Sequence, residues 1–463
     1  MNNTTVVNMS DLSFSDAVTK LDTPFDVFKF DCKDMISNSE AFKLRQALLT
    51  MTFKKKSCDL YSFSQSSDFI RSTNIKKPKE VEQFLIFLEK IKQNIAIYLG
   101  KTFNNTISVS CSKYDQGDYL LCHDDRVDDR SVAFIYYLNY DWLPEWGGTL
   151  DVYSVDDNNC ATEIVKNINP EFNSMIFFPV ERYTYHQVAE NTSTFSRISI
   201  NGWFHCDDLS WKMYDHPLKY LSPFYTPHAV SPNRMNRCKS VAEMCIEPMF
   251  EEPIFREAIR DTFIKDGFIM CEGFFKSSMV DHLSNEIFSN NIGWKIKGPL
   301  NKMHYKYVDL DELPLTMLFI VNMLKTDRMF QFFQECSGFE FLSVNIEVQR
   351  WHGGHYMVSG GNDGLAGFNV LSVYLFFSQC FGEMSDAIKD DLHYVFEEKD
   401  TLTPKFACKP QHNTIFMVNR DSNMDSYVKY CKIVDGHAWT VVVANYLIKN
   451  DRRLDIKLYR FDD

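Results

Sequence analysis

The sequence predicts two related, mainly β domains in tandem with flanking helices, and three observations predict it. Between Thr106 and Phe204 the chain runs as short β-branched or aromatic segments separated by Gly, Asn, Asp and Pro turns, as in an all-β barrel. Past a proline-rich stretch the same pattern starts again, in the same order and at similar spacing. The 463 residues are too many for one ordinary core, and 45% hydrophobic with 24% charged residues is globular composition.

Residues 1–22 are polar and rich in Ser, Thr and Asn, which predicts a flexible tail. The first domain is expected over residues 23–206. From Val81 to Tyr98 the apolar residues are spaced as on a helix. The strands expected after it are Thr106-Ile-Ser-Val-Ser, Ser131-Val-Ala-Phe-Ile-Tyr-Tyr-Leu, Thr149-Leu-Asp-Val-Tyr, Met175-Ile-Phe-Phe-Pro and Arg197-Ile-Ser-Ile-Asn-Gly-Trp-Phe. Residues 207–250 carry Pro217, Pro223, Pro227, Pro232 and Pro248 among polar neighbours and predict a linker. The second domain is expected over residues 251–463. There Arg350-Trp-His-Gly-Gly-His-Tyr repeats Lys113-Tyr-Asp-Gln-Gly-Asp-Tyr, Asn413-Thr-Ile-Phe-Met-Val repeats Asn173-Ser-Met-Ile-Phe-Phe, and Val441-Val-Val-Ala-Asn-Tyr-Leu repeats Ile198-Ser-Ile-Asn-Gly-Trp-Phe.

Lys and Arg total 49 against 62 Asp and Glu, a net charge of −13. This balance disfavours a general nucleic-acid or anionic-membrane binder and suits a basic protein or peptide partner. No segment reaches the roughly 20 apolar residues that a membrane helix needs. The N-terminus lacks the basic and apolar regions of a secretory signal. The 13 cysteines form no Cys-x-x-Cys pair and read as free thiols in a reducing compartment. The expectation is a soluble intracellular protein, cytoplasmic, with the nucleus also open to it.

His123-Asp-Asp supplies a His-x-Asp pair. In an extended strand, residues two apart point to one face, so His123 and Asp125 can ligate the same ion. His186, shortly after the Met175 strand, is the candidate third ligand. Two histidines and one carboxylate form a facial triad, which holds non-haem Fe(II) and leaves positions open for a co-substrate and O₂. Cys122 would face the other way, outside the coordination shell. Arg197 and Ser199 share one face of their strand while Ile198 and Ile200 take the other. An inward Arg in a shielded barrel needs an anion, and the distal carboxylate of 2-oxoglutarate, held bidentately, is that anion. Tyr137 can donate its hydroxyl to the same carboxylate.

Each piece taken alone has a structural reading; their conjunction carries the chemistry. The chain contains a decoy, His205-Cys-Asp, and no later histidine completes it with an Arg at the matching distance. The second repeat loses the set. Gly360 replaces His123, Asn362 replaces Asp125, and Thr440 is read at the position of Arg197. The second domain keeps the scaffold and is expected to be degenerate.

Cys122-His-Asp-Asp, Ala133-Phe-Ile-Tyr-Tyr-Leu, Gly147-Gly-Thr-Leu-Asp-Val-Tyr-Ser, Tyr185-His-Gln-Val and Ser196-Arg-Ile-Ser-Ile-Asn-Gly-Trp-Phe-His together resemble the ribosomal prolyl hydroxylase family. The likeness extends to Asp59-Leu-Tyr-Ser-Phe-Ser-Gln upstream and to Trp294-Lys-Ile-Lys-Gly-Pro-Leu-Asn-Lys downstream, and so covers nearly the whole chain after the tail. The resemblance implies two double-stranded β-helix domains. It implies iron at His123, Asp125 and His186, and 2-oxoglutarate at Arg197 and Tyr137, with Tyr114 as a further residue lining the co-substrate pocket. The cofactor set implied is Fe(II), 2-oxoglutarate, O₂ and L-ascorbate. The implied substrate is a prolyl residue, hydroxylated at C3, in the basic small-subunit ribosomal protein at the decoding centre, with no direct nucleic-acid contact. One departure is the shortness of acidic runs such as Glu397-Glu-Lys-Asp, where some relatives carry a long acidic insertion. Two other readings stay open: the same chemistry on another substrate, and a binding protein whose second domain docks a partner.

Overall fold

The structure is a computed structural model that describes residues 11–72, 76–207, 245–288, 291–359, 369–378, 392–398, 401–421, 424–432 and 438–449. The chain divides into two units, residues 1–218 with 299–301 and residues 219–298 with 302–463. The first unit's strands are β1 (Val18–Lys20), β2 (Phe28–Asp31), β3 (Lys54–Ser57), β4 (Tyr61–Gln65), β5 (Ile107–Tyr114), β6 (Tyr119–His123), β7 (Arg130–Tyr137), β8 (Leu150–Val155), β9 (Ala161–Ile168), β10 (Ser174–Pro179), β11 (His186–Val188) and β12 (Arg197–His205). They form one sheet in the order β1-β2-β10-β7-β12-β5-β4-β6-β11-β8-β9, with β3 on β4. The sheet is antiparallel and curls on itself as a double-stranded β-helix. All five strands expected from the sequence are present as β5, β7, β8, β10 and β12. Strand β9 gave little sequence signal because its residues 162–167 are all exposed and show no apolar alternation.

The helix Lys79–Leu99 covers one face of this sheet. Val81, Phe84, Leu88, Ile91 and Ile95 recur at helical spacing and are buried with Val109, Phe134 and Phe177. Each such side chain contributes roughly 1.5–3 kcal/mol relative to exposure. Gly100, at φ 61, ends the helix in the left-handed conformation.

The expected tail over 1–22 is corrected in part. Residues 1–10 lie outside the described residues, but Asp11–Ala17 is a helix and β1 pairs with β2. The reason is aromatic: Phe14 is 2% exposed and packs against Phe30 and Tyr98 at 5.1 and 6.2 Å between ring centroids. The expected linker over 207–250 lies mostly outside the described residues. Its last part is ordered, with Cys245, Ile246 and Phe250 in the second unit's core.

The second unit's strands are β13 (Phe268–Glu272), β14 (Lys295–Lys297), β15 (Met303–Val308), β16 (Phe341–His352), β17 (Tyr356–Met357), β18 (Val370–Ser378), β19 (Leu392–Glu398), β20 (Thr401–Cys408), β21 (Thr414–Arg420), β22 (Met424–Val428) and β23 (Ala438–Ile448). Their order, β13-β21-β18-β23-β16-β15-β17-β22-β19-β20, matches the first sheet strand for strand from β2 to β9. Small details repeat as well. Asn173 and Asn413 open β10 and β21 at φ 58 and 52, and their amides donate to the carbonyls of Ile36 and Phe275. Helices Pro253–Asp266, Ser277–Ile287, Leu315–Leu324 and Asp327–Ser337 flank this sheet.

The register corrects one correspondence between the repeats. Tyr137 stands opposite Ser174 and Ser199, while Phe376 stands opposite Thr414 and Val441. Arg197 pairs with Tyr114, and Trp439 pairs with Trp351. Trp439, not Thr440, therefore holds the place of Arg197. Strand β12 alternates polar and apolar residues, but Val441-Val-Val-Ala in β23 carries no alternation to set its phase, so sequence comparison slipped by one residue, and a slip of one reverses every face. The expected replacements at Gly360 and Asn362 lie outside the described residues.

Candidate active site

Strand β11 lies between β6 and β8, and His186 stands directly opposite His123 in the ladder. Directly opposed residues bring their side chains together, and the two imidazole centroids are 4.4 Å apart. Nδ1 of His123 donates to the Leu121 carbonyl and Nδ1 of His186 to the Thr184 carbonyl, each at 2.8 Å. A carbonyl can only accept, so both rings carry a proton on Nδ1, which leaves Nε2 as the atom each ring turns towards Asp125 and would offer to a metal. Asp125 completes the group: Oδ1 is 3.3 Å from His123 Nε2 and Oδ2 is 3.4 Å from His186 Nε2. One ligand atom from each of the three lies within 4.8 Å of the others.

Asp125 arrives by a route that the sequence did not indicate. Strand β6 ends at His123, and Asp125 sits beyond it at φ 59, so a left-handed turn aims the carboxylate rather than strand alternation. Burial would raise its carboxyl pKa. The two histidines outweigh that and hold it well below the usual carboxylate range. Cys122 points away, buried with Tyr153, Ala161 and Tyr185, and burial pushes its thiol up. No disulfide joins the described cysteines. The decoy resolves as a structural residue: His205 is 2% exposed, with Nδ1 at 2.7 Å from Asp129 and Nε2 at 2.9 Å from the Ser108 hydroxyl.

Arg197 is 1% exposed. Its Nε donates to the Gly148 carbonyl at 2.6 Å and Nη1 to the Ser199 hydroxyl at 3.3 Å, while the buried Nη2 has no partner. Its guanidinium lies 5.1 Å from the Tyr114 ring and 5.3 Å from the Tyr137 ring. The Tyr137 hydroxyl is likewise buried without a partner, and burial, against the nearby Arg197 charge, pushes its pKa up to about 12. It is a neutral donor. Two buried donors left unpaired on facing side chains is an arrangement that proteins avoid unless an acceptor binds there. Gly148 makes the approach possible: a Cβ on it would meet Arg197 Cδ at 2.9 Å, and its φ is +65.

His123, Asp125, His186, Tyr114, Arg197 and Ser199 all line one cavity of about 450 Å³. Tyr137 is fully buried beside Arg197 and is not part of that wall, whereas Tyr114 is. Sequence reasoning missed Asn201 and Trp203, which also line the cavity. The signal was present. They continue the face of Arg197 and Ser199 at the period of two.

Comparison with known proteins agrees with this geometry. Residues 109–205 match the family model described as the 2OG-Fe(II) oxygenase superfamily, and residues 243–453 match the one described as the oxoglutarate and iron-dependent oxygenase degradation C-terminal domain. The chain belongs to the 2-oxoglutarate and Fe(II) oxygenase superfamily. It is 30% identical over 296 residues to the mouse prolyl 3-hydroxylase OGFOD1, covering 64% of this chain and 52% of the mouse protein. It is 30% identical over 333 residues to the Drosophila melanogaster prolyl 3-hydroxylase sudestada1, covering 68% of this chain and 59% of the fly protein. The Ostreococcus tauri prolyl 3,4-dihydroxylase OGFOD1 is 31% identical over 180 residues, covering 36% of this chain and 35% of the algal one. The chain thus spans roughly half to three fifths of the length of the first two relatives.

The superfamily's cofactors are Fe(II) and 2-oxoglutarate, and the residues present fit both. Two imidazole Nε2 atoms and a carboxylate are the donor set that suits ferrous iron. The unpaired Arg197 Nη2 and Tyr137 hydroxyl suit a buried carboxylate.

Proposed function

We propose that the protein is a 2-oxoglutarate- and Fe(II)-dependent dioxygenase that hydroxylates a prolyl residue at C3 in a small-subunit ribosomal protein at the decoding centre, releasing succinate and CO₂ and so acting on translation. The observation that carries this reading is a single cavity holding both the His123, Asp125 and His186 cluster and the anion-seeking Arg197. The prolyl 3-hydroxylase names of its relatives support the substrate class, and the −13 charge suits a basic protein partner. We place it in the cytoplasm or nucleus and expect L-ascorbate to sustain turnover. Among the described residues of the second unit there is no matching cluster of metal ligands, and we expect a protein partner to dock on this unit.

Bound iron would supply the oxidising chemistry, coupled to decarboxylation of 2-oxoglutarate, that side chains cannot supply. Each remaining task falls to a residue of this chain. His123, Asp125 and His186 would hold the metal from one side, with both imidazoles locked in the Nε2-donor tautomer. Arg197 binds and orients the far carboxylate of the co-substrate, with Tyr114 on the cavity wall and Tyr137 as a neutral donor. Leu120, Leu150, Phe178 and Val188 give the cavity apolar walls that limit water.

The test is mass spectrometry of a peptide carrying the ribosomal proline after incubation with the full chain, Fe(II), ascorbate and 2-oxoglutarate, beside His186→Ala. One added oxygen on proline, absent with the variant, is the expected result. Succinate without hydroxylated peptide would discard the ribosomal substrate and keep the oxygenase. Neither product would leave a binding protein.

A further inference from the structure

His123 and His186 are each oriented by a backbone carbonyl, but Asp125 stands on a left-handed turn beyond its strand, with no ladder to fix its side chain. Its carboxylate is fixed from across the cavity instead. Trp203 Nε1 donates to Asp125 Oδ2 at 3.0 Å. The Arg130 guanidinium lies 3.6 Å from the centre of the Trp203 ring, and its Nη1 is 3.7 Å from Asp125 Oδ1. The ladder builds this stack, since β12 and β7 set Trp203 opposite Ala133 and His205 opposite Arg130. Both Trp203 and Arg130 line the cavity.

We propose that Trp203 is a positioning residue for the metal centre, an inference that rests on reading the cluster as an Fe(II) site. By occupying Oδ2, the indole N–H leaves Asp125 to offer Oδ1 alone. A carboxylate held to one oxygen takes one coordination position. A carboxylate free to rotate can take two and close a position that the co-substrate and O₂ need. Arg130 in turn holds the indole flat against the strand, so that the N–H keeps its aim.

The test uses the full-length apoprotein, Co(II) as a spectroscopic probe of the iron site, and Trp203→Phe, which keeps a ring under Arg130 and removes the N–H. Co(II) affinity is expected to fall roughly 10- to 100-fold. The visible Co(II) bands should weaken and shift as the carboxylate takes a second position, with circular dichroism unchanged. Equal affinity and an identical spectrum would overturn the positioning role. If wild-type protein binds no Co(II), the metal-site reading itself falls, which is a separable result. Should Trp203→Phe fail to fold, Arg130→Met serves: it releases the indole without touching the N–H, and an unaltered Co(II) spectrum there overturns the proposal equally.

Discussion

Trp439 holds, in the second sheet, the place that Arg197 holds in the first. Arg197 faces Tyr114 and Tyr137 and has one guanidinium nitrogen without a partner. Trp439 stacks on Trp351 at 5.2 Å with planes 8° apart and meets Phe376 at 5.8 Å, and these two stand where Tyr114 and Tyr137 stand. An anion-seeking trio has become a stack of rings. The first unit keeps room for a carboxylate, and the second fills the same room with its own core.

The chain is therefore expected to bind one 2-oxoglutarate, not two. Calorimetric titration of the iron-loaded protein should give a stoichiometry of one, and Arg197→Ala should abolish the heat. Trp351→Ala should instead destabilise the second unit by roughly 3–5 kcal/mol, the usual loss for a buried Trp, and leave co-substrate binding intact. A second binding event in the wild type would refute the filled-pocket account.

Loss of a metal donor should stop turnover without unfolding the protein. Asp125→Ala or His186→Ala is expected to remove succinate production, while thermal unfolding stays close to wild type. Chelator should reproduce the loss in the wild type, and added Fe(II) should restore it. Normal activity in either purified variant would displace the metal assignment.

Arg197→Lys keeps the charge and loses the planar fork. One charge-assisted hydrogen bond is worth about 1.5–3 kcal/mol, so the KM for 2-oxoglutarate should rise roughly 10- to 150-fold. Gly148→Ala should move it in the same direction from outside the pocket, because the new Cβ meets Arg197 Cδ at 2.9 Å. The prolyl peptide's KM should change much less in both variants. A selective effect on peptide KM would show that Arg197 holds the wrong partner.

Acid should weaken the second unit through His355. It is 1% exposed, with the rings of His352 and His304 at 3.7 and 5.2 Å. Burial first, then the neighbouring His352 and His304, lowers its pKa to about 2. The unfolded histidine titrates near 6.5. Below that pH the unfolded chain gains a proton that the folded one refuses, so stability is full above about 6.5 and declines as pH falls towards 2. Chemical denaturation at pH 7.5 and 5.5 reads the difference. His355→Asn, whose Oδ1 can replace the Nδ1 that accepts from the His352 N–H, should flatten it.

Much of the site was legible because its chemistry is written in residue types. His123, Asp125, His186 and Arg197 could be picked out by donor class and by the strands around them. Asp125 was picked out on strand alternation, but it stands beyond the strand on a left-handed turn, and no local pattern announces that an aspartate will adopt φ 59. Tyr114, not Tyr137, lines the cavity, although both sit near Arg197. Trp203 went unnoticed because an indole in an aromatic strand looks like core until its N–H is seen on a carboxylate.

By itself the sequence determined the strand pattern, the repeat, the donor types and the need for a buried anion. These depend on local alternation and on the chemistry of single side chains, which travel with the residue. Tertiary structure decided the rest. It set His186 opposite His123 across β6 and β11, put Trp439 rather than Thr440 at the place of Arg197, and brought Trp203 to Asp125. Each of these is a matter of register between strands distant in the chain. Register comes from which whole faces can be buried together, and a shift of one residue exchanges those faces while the local pattern stays almost the same.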